Sequence, residues 1–272
     1  MNKISGSLIS QRILTRLKSR PIPSQKLSAI LVGDDPASLS FLHQKQKAAE
    51  EIGINFDLLT LPNEISESVL KFKIHNLTQD SAVGGIIIQL PLPPHLPTQE
   101  ILDQIPVQKD IDILSSAATQ RFAVGESSIL PPAVGTVQEI LDNQNFDLSE
   151  KTVAVVGLGR LVGRPIATWL KNKTERLITI DLGDDIDQIK EADLVISGTG
   201  RPRLIDPAEL KPGVAVIDFG YGKANDQVQG DLDISQLSTL RSPLNFYTPT
   251  PGGTGPILVA KLLENFFILN QN

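Results

Sequence analysis

The chain has 272 residues, 40% of them hydrophobic, enough to bury a core and to exclude a disordered chain. Its 25 basic and 31 acidic side chains give a net charge of −6, which argues against a nucleic-acid binder and its basic face. With no cysteine there is no disulfide or thiolate metal site, and His43, His75 and His95 are too scattered for a local metal motif, so no metal is expected.

Short β-branched runs alternate with amphipathic stretches, the pattern of an α/β protein with parallel sheets. Residues 4–19 place Ile9, Ile13, Leu14 and Leu17 on one helical face. LSAILVG (27–33) reads as a buried strand, FLHQKQKAAEEIG (41–53) as a helix stopped by Gly53, and FDLLTL (56–61) as a strand. A helix around 65–78 and the strand GGIIIQL (84–90) follow, and PLPP (91–94) breaks that strand. A second series comprises TVAVVG (152–157), RLITID (176–181), DLVISG (193–198) and VAVIDFG (214–220). The starts of these strands lie about 17–24 residues apart, the room a crossover helix needs. The chain is accordingly read as an N-terminal domain over 1–140 and a nucleotide-binding domain over 141–249. No apolar run reaches the ~20 residues of a membrane helix, and the N-terminal stretch lacks a signal-peptide core. A cytoplasmic protein without membrane or nucleic-acid partners is the expectation.

Residues 157–163, Gly-Leu-Gly-Arg-Leu-Val-Gly, follow a hydrophobic strand and open the amphipathic stretch GRPIATWLKN. This is a Rossmann-type turn with one extra residue before its third glycine. Gly157 permits the tight turn, Gly159 lets bare backbone approach a pyrophosphate, and the helix start offers N–H groups to the anion. Gly157, Leu158, Gly159, Arg160 and Gly163 are therefore candidate cofactor residues. Asp181 ends the next strand about twenty residues after Gly159, where a carboxylate accepts hydrogen bonds from a ribose. Its charge opposes a 2′-phosphate and favours NAD over NADP. The alternative is a plain βα turn followed by a solvated acidic loop.

Taken together, several stretches resemble the bifunctional methylenetetrahydrofolate dehydrogenase/methenyltetrahydrofolate cyclohydrolase family: VGDDPAS (32–38) with KQKAAEEIGI (45–54), IIIQLPLP (86–93), GRLVGRP (159–165), GDLDI (230–234) and TPTPGGTGPILVA (248–260). The similarity runs nearly end to end. It implies two α/β domains flanking a cleft, the second a Rossmann-like parallel sheet, with the last helix (256–272) packed back on the first domain. It further implies a homodimer, a tetrahydrofolate substrate, and NADP more often than NAD. The implied chemistry is oxidation of 5,10-methylenetetrahydrofolate to the methenyl form, then hydrolysis to 10-formyltetrahydrofolate.

By the same resemblance Lys45 matches the catalytic lysine, Gln89 the glutamine that supports it, and Asp112 the aspartate that grips the pteridine ring. A partly desolvated lysine suits acid–base work on water. Pro251, Gly252 and Gly253 match a backbone stretch close to substrate, and Tyr221 a position on the nicotinamide side. Three departures stand out. Phe41, one turn before Lys45, replaces a tyrosine that stacks on folate. Ile113 replaces a glycine after Asp112, and isoleucine would disturb the loop if that position needs positive φ. PPAVGT (131–136) replaces Pro-Cys-Thr-Pro-x-Gly. These departures leave open a dehydrogenase with weak or lost cyclohydrolase activity, or a non-catalytic nucleotide- or folate-binding paralogue. A shikimate-type dehydrogenase is disfavoured by the QLPLP and PGGTGP strings.

Overall fold

The computed structural model describes residues 2–224, 227–240 and 242–271. In chain order it contains β1 (Asn2–Lys3), α1 (Gly6–Lys18), β2 (Lys26–Val32), α2 (Pro36–Glu51), β3 (Phe56–Leu61), α3 (Glu67–Gln79), β4 (Val83–Ile88), α4 (Thr98–Leu102), α5 (Ser116–Ala123) and α6 (Pro132–Gln144). Then come β5 (Thr152–Val156), α7 (Gly163–Leu170), β6 (Arg176–Ile180), β7 (Leu194–Ser197), β8 (Ala215–Asp218), β9 (Gly222–Ala224), β10 (Gln227–Gln229), β11 (Phe246–Tyr247) and α8 (Thr254–Leu269).

The chain forms two compact units, both discontinuous. One holds Arg12–Pro132 and the chain from Val259 onward; the other holds the residues up to Gln11 with Ala133–Leu258. The division thus falls at 132/133 rather than 140/141, and the first residues join the nucleotide-binding unit. The reason is a long-range pairing: β1 runs parallel to β11, with Asn2 opposite Phe246 and Lys3 opposite Tyr247.

In the first unit the sheet order is β3-β2-β4, all parallel. The central strand β2 and the edge strand β4 are buried along almost their whole length, which is why KLSAILV and VGGIII read as continuous apolar runs rather than alternating ones. Ile30, Ile86 and Ile88 pack there against Leu70 and Ile74 of α3 and against Ile101 and Leu102 of α4. The helix α2 begins five residues before the expected start at 41. Asp35 caps it, its carboxylate accepting the Ser38 N–H at 2.8 Å, and Pro36 occupies the first turn, where its missing N–H costs nothing. From α8, Asn265 donates to the carbonyls of Ile111 and Leu130 at 2.8 Å each, and Asn270 donates to that of Gly84 at 3.0 Å.

The second unit holds a six-stranded parallel sheet of order β1-β11-β8-β7-β5-β6, and β9 and β10 form a separate antiparallel hairpin. The four strands read from the sequence are all present, but the crossovers between them differ from expectation. Only the β5–β6 connection carries an α-helix, α7. The next two carry 3₁₀ turns at Ile186–Glu191 and Pro207–Glu209. Gly183, with φ +97°, and Pro202 and Pro207 punctuate these segments and leave no uninterrupted run for a longer helix. The stretch 131–136 opens α6, whose Ala133, Val134, Val137, Ile140 and Leu141 are buried. No helix among the described residues is long and apolar enough to cross a membrane.

Candidate functional site

Two constellations of candidate residues lie in the two units. In the first unit α2 carries Lys45 inward, leaving it 6% exposed. Its Nζ donates to Gln89 Oε1 at 3.3 Å and sits 4.8 Å from the centre of the Phe41 ring, one helical turn earlier. Gln89 follows β4, and its own amide donates to the Leu90 carbonyl at 2.8 Å, so the side-chain oxygen is the end turned to the lysine. Burial pushes the Lys45 ammonium below the usual lysine range, with the neighbouring Asp112 charge opposing the shift. Burial likewise pushes the Asp112 carboxyl up, while Lys45 pulls it down. The three residues named as catalytic candidates therefore meet in one place.

The segment that presents Asp112 is heavily braced. Lys109 Nζ donates to the carbonyls of Thr78 and Asp80 at 2.8 Å each and of Leu77 at 3.3 Å, tying off the C-terminal end of α3. Asp110 accepts the N–H of Leu114 at 3.1 Å and of Ser115 at 2.8 Å. Between them Ile113 adopts φ +56°, in the left-handed region. Isoleucine thus takes the conformation glycine would take, and the turn is kept at the cost of strain at a β-branched residue. Its side chain is buried with Ala118 and Ile129, and that packing compensates.

In the second unit the candidate turn follows β5. The sheet order places β5 between β6 and β7, so the connection after β5 leads one way, to β6, and the connection after β7 leads the other way, to β8. Ligands of open α/β sheets bind at such a switch point. A cavity of about 310 Å³ lies there. It is lined by Gly157, Leu158 and Gly159 after β5, by Asp181 and Asp184 after β6, and by the 198–201 segment after β7. Gly157 has φ +83°, and a Cβ at Gly163 would overlap the Gly157 carbonyl, so both glycines are required by the close approach of turn and helix. A Cβ at Gly159 meets nothing within 4 Å, which leaves bare backbone beside open space. The Asp181 carboxylate accepts the Leu158 N–H at 3.4 Å, and the Asp181 N–H donates to Asp184 at 2.8 Å. A turn of exposed backbone and a carboxylate on one cavity, at the C-terminal ends of parallel strands, fit a dinucleotide.

Other candidates fall elsewhere. Arg160 and Gly163 do not line the cavity, and Gly163 is buried behind the turn. Tyr221 follows β8 and is 59% exposed, outside the cavity wall. Pro251, Gly252 and Gly253 belong to the second unit, where the Gly252 carbonyl accepts the Gly6 N–H at 3.0 Å. Thr199 and Arg201 line the cavity and were missed. The Gly-Thr-Gly string after the third strand of the series, a strong turn signal, could have pointed to them.

Residues 4–112 match the family model for the catalytic domain of tetrahydrofolate dehydrogenase/cyclohydrolase, and residues 131–272 match that for its NAD(P)-binding domain. The chain belongs to this family. The bifunctional protein FolD of Hydrogenobaculum sp. (strain Y04AAS1) is 35% identical over 272 residues, covering 97% of each chain. That of Halalkalibacterium halodurans is 36% identical over 262 residues, covering 93% of this chain and 90% of its own. Among solved structures, the bifunctional FolD methylenetetrahydrofolate dehydrogenase/cyclohydrolase of Campylobacter jejuni is 34% identical. It superposes with a TM-score of 0.91 over 98% of this chain and 97% of its own. Within the tetrahydrofolate dehydrogenase/cyclohydrolase family, the two domain models meet the two constellations separately. Lys45, Gln89 and Asp112 lie in the catalytic-domain match, and the β5 turn lies in the NAD(P)-binding match.

Proposed function

We propose that this protein oxidises 5,10-methylenetetrahydrofolate to the 5,10-methenyl form with NAD⁺ and hydrolyses that product to 10-formyltetrahydrofolate. The observation that carries this reading is the buried Lys45 held against Gln89 and beside Asp112. That is a built acid–base site in a unit whose family acts on tetrahydrofolate.

The nicotinamide cofactor, when bound, supplies the oxidising equivalent. The chain's own residues would hold it: Gly157, Leu158 and Gly159 face the cavity with bare backbone for the pyrophosphate, while Arg160, Gly163 and Tyr221, which lie off the cavity wall, are assigned to the cofactor by the resemblance alone. In the hydrolytic step water adds to the methenyl carbon and gives one proton to the neutral Lys45 amine; Lys45 passes that proton to N5, the bond from the carbon to N5 breaks, and the remaining hydroxyl proton is released to solvent as the formyl carbonyl forms. Lowering the lysine's proton affinity by burial makes this exchange accessible near neutrality. Gln89 orients the lysine or the water, Asp112 anchors the pteridine N–H edge, and Phe41 gives a flat face to the folate. Pro251, Gly252 and Gly253 are assigned to substrate binding by the resemblance alone. Phe41 lacks the hydroxyl of the family's tyrosine, and the ring's cation–π contact with Lys45 is what remains of that pairing.

Asp181 and Asp184 on the cavity favour NAD⁺, because a 2′-phosphate brought there would meet two carboxylates against one arginine, Arg201. Following cofactor reduction at 340 nm with methylenetetrahydrofolate, NAD⁺ is expected to give at least about a tenfold higher kcat/KM than NADP⁺. Equal or reversed values remove Asp181 as the discriminating group. No reduction of either cofactor removes the dehydrogenase half of the proposal, and absence of methenyltetrahydrofolate hydrolysis as well leaves the binding-protein reading. The family resemblance also supports a homodimer working in the cytoplasm; sedimentation of the purified protein tests the first and cell fractionation the second.

A further inference from the structure

The second unit holds a pair of buried carboxylates that the reaction does not use. Asp218, at the end of β8, is 1% exposed, and Asp231, in the loop after β10, is 0% exposed. One oxygen of Asp231 accepts the Ser197 hydroxyl at 2.6 Å and the Thr199 N–H at 2.8 Å; the other accepts the Arg201 N–H at 2.8 Å. Asp218 accepts the N–H of Gly220 at 2.6 Å and of Leu232 at 3.0 Å. The backbone closes around both groups. A Cβ at Gly220 would overlap Asp231 Oδ1, and one at Gly230 would overlap Asp218 Oδ2.

The three donors on Asp231 come from the end of β7 and the segment after it, and Gly198, Thr199 and Arg201 form one wall of the cavity at the sheet's switch point. That wall has no regular secondary structure to hold it, so its backbone N–H groups need partners from elsewhere in the fold. We propose that Asp231 is a positioning residue for dinucleotide binding: it touches no cofactor, and its carboxylate fixes the 198–201 segment as a wall of the cavity. The proposal rests on the reading of this cavity as the dinucleotide site.

Asp231→Asn keeps size but leaves one oxygen for three donors, and its amide nitrogen faces an N–H where an acceptor is needed. NADH fluorescence titration of wild type and variant reads the consequence directly. The Kd is expected to rise about tenfold or more, with a matching rise in cofactor KM, while methenyltetrahydrofolate hydrolysis, which consumes no cofactor, stays within about twofold of wild type. Ser197→Ala removes a single donor and is expected to raise the Kd about threefold, which keeps the test open if the asparagine variant does not fold. A folded Asp231→Asn protein with wild-type Kd overturns the proposal, as does an equal fall of both activities, the mark of a merely structural carboxylate. Failure of the wild type to bind NADH overturns the cavity reading along with it.

Discussion

The two units bury charge in opposite ways. Around Lys45 the buried groups are of opposite sign, Lys45 and Asp112, and the lysine has one amide oxygen at 3.3 Å and an aromatic face rather than a full set of partners. Around Asp218 and Asp231 the groups are of like sign, and backbone N–H and hydroxyl donors meet their oxygens. A buried charge with incomplete hydrogen bonding is poised to change protonation or to accept a substrate's polar atoms. One that accepts three donors, as Asp231 does, holds chain segments together. The first pattern suits proton exchange, and the second suits the bracing of chain segments.

The sharpest way to break this comparison is to remove the lysine. Lys45→Met retains the length and most of the apolar stem while deleting the ammonium. Methenyltetrahydrofolate hydrolysis is expected to fall by about 10²–10⁴-fold, the usual weight of a positioned acid–base group. Folding stability is expected to hold, because burying an ammonium opposes folding. NADH affinity is expected to remain at the wild-type value. Hydrolysis within about tenfold of wild type would take Lys45 out of the mechanism.

The carboxylate pair gives the next effect, read as stability against pH. Burial, with a smaller push from the Asp231 charge, raises the Asp218 carboxyl from 3.8 to about 7 although the backbone N–H groups of Leu232, Gly220 and Asp231 favour its anion. Between pH 4 and 7 the unfolded chain therefore loses this proton while the folded chain keeps it, and this group's contribution to stability declines as pH rises through that window. In Asp218→Asn nothing titrates, so whatever the amide costs at this site is independent of pH. The variant is thus expected to gain on wild type by roughly 2–4 kcal/mol between pH 4 and 8 in urea unfolding. A difference independent of pH would show that Asp218 is ionised throughout.

What the sequence made legible follows from how local each signal is. Strand runs such as KLSAILV and TVAVV, the Gly157–Gly163 turn and the Lys45 helix depend on neighbours within a turn or two, and all appear in the structure. The pairing of β1 with β11, and with it the discontinuous units, depends on residues more than 200 positions apart. The helical crossovers expected between β6 and β8 gave way to 3₁₀ turns, because strand spacing reports the length of a connection and not its conformation. Asp231 stood in a motif quoted for its resemblance alone. Its partners lie 30 or more residues away, and no local pattern connects it to Thr199.

Ile113 offers the finest test, because two terms of similar size oppose each other there. Its side chain is 5% exposed and packed with Ala118 and Ile129, so truncation to alanine is expected to cost about 2–4 kcal/mol. Its φ of +56° carries about 1–2 kcal/mol of strain, which alanine keeps and glycine sheds. At ordinary positions glycine is the less stable of the two, through its backbone entropy. Here the order is expected to reverse, with Ile113→Gly more stable than Ile113→Ala by about 1 kcal/mol and both below wild type, since the burial lost exceeds the strain relieved. Urea unfolding of the three proteins side by side measures this. An alanine variant that matches or exceeds the glycine one would mean that the loop presenting Asp112 relaxes out of the left-handed conformation once the isoleucine no longer packs it in place.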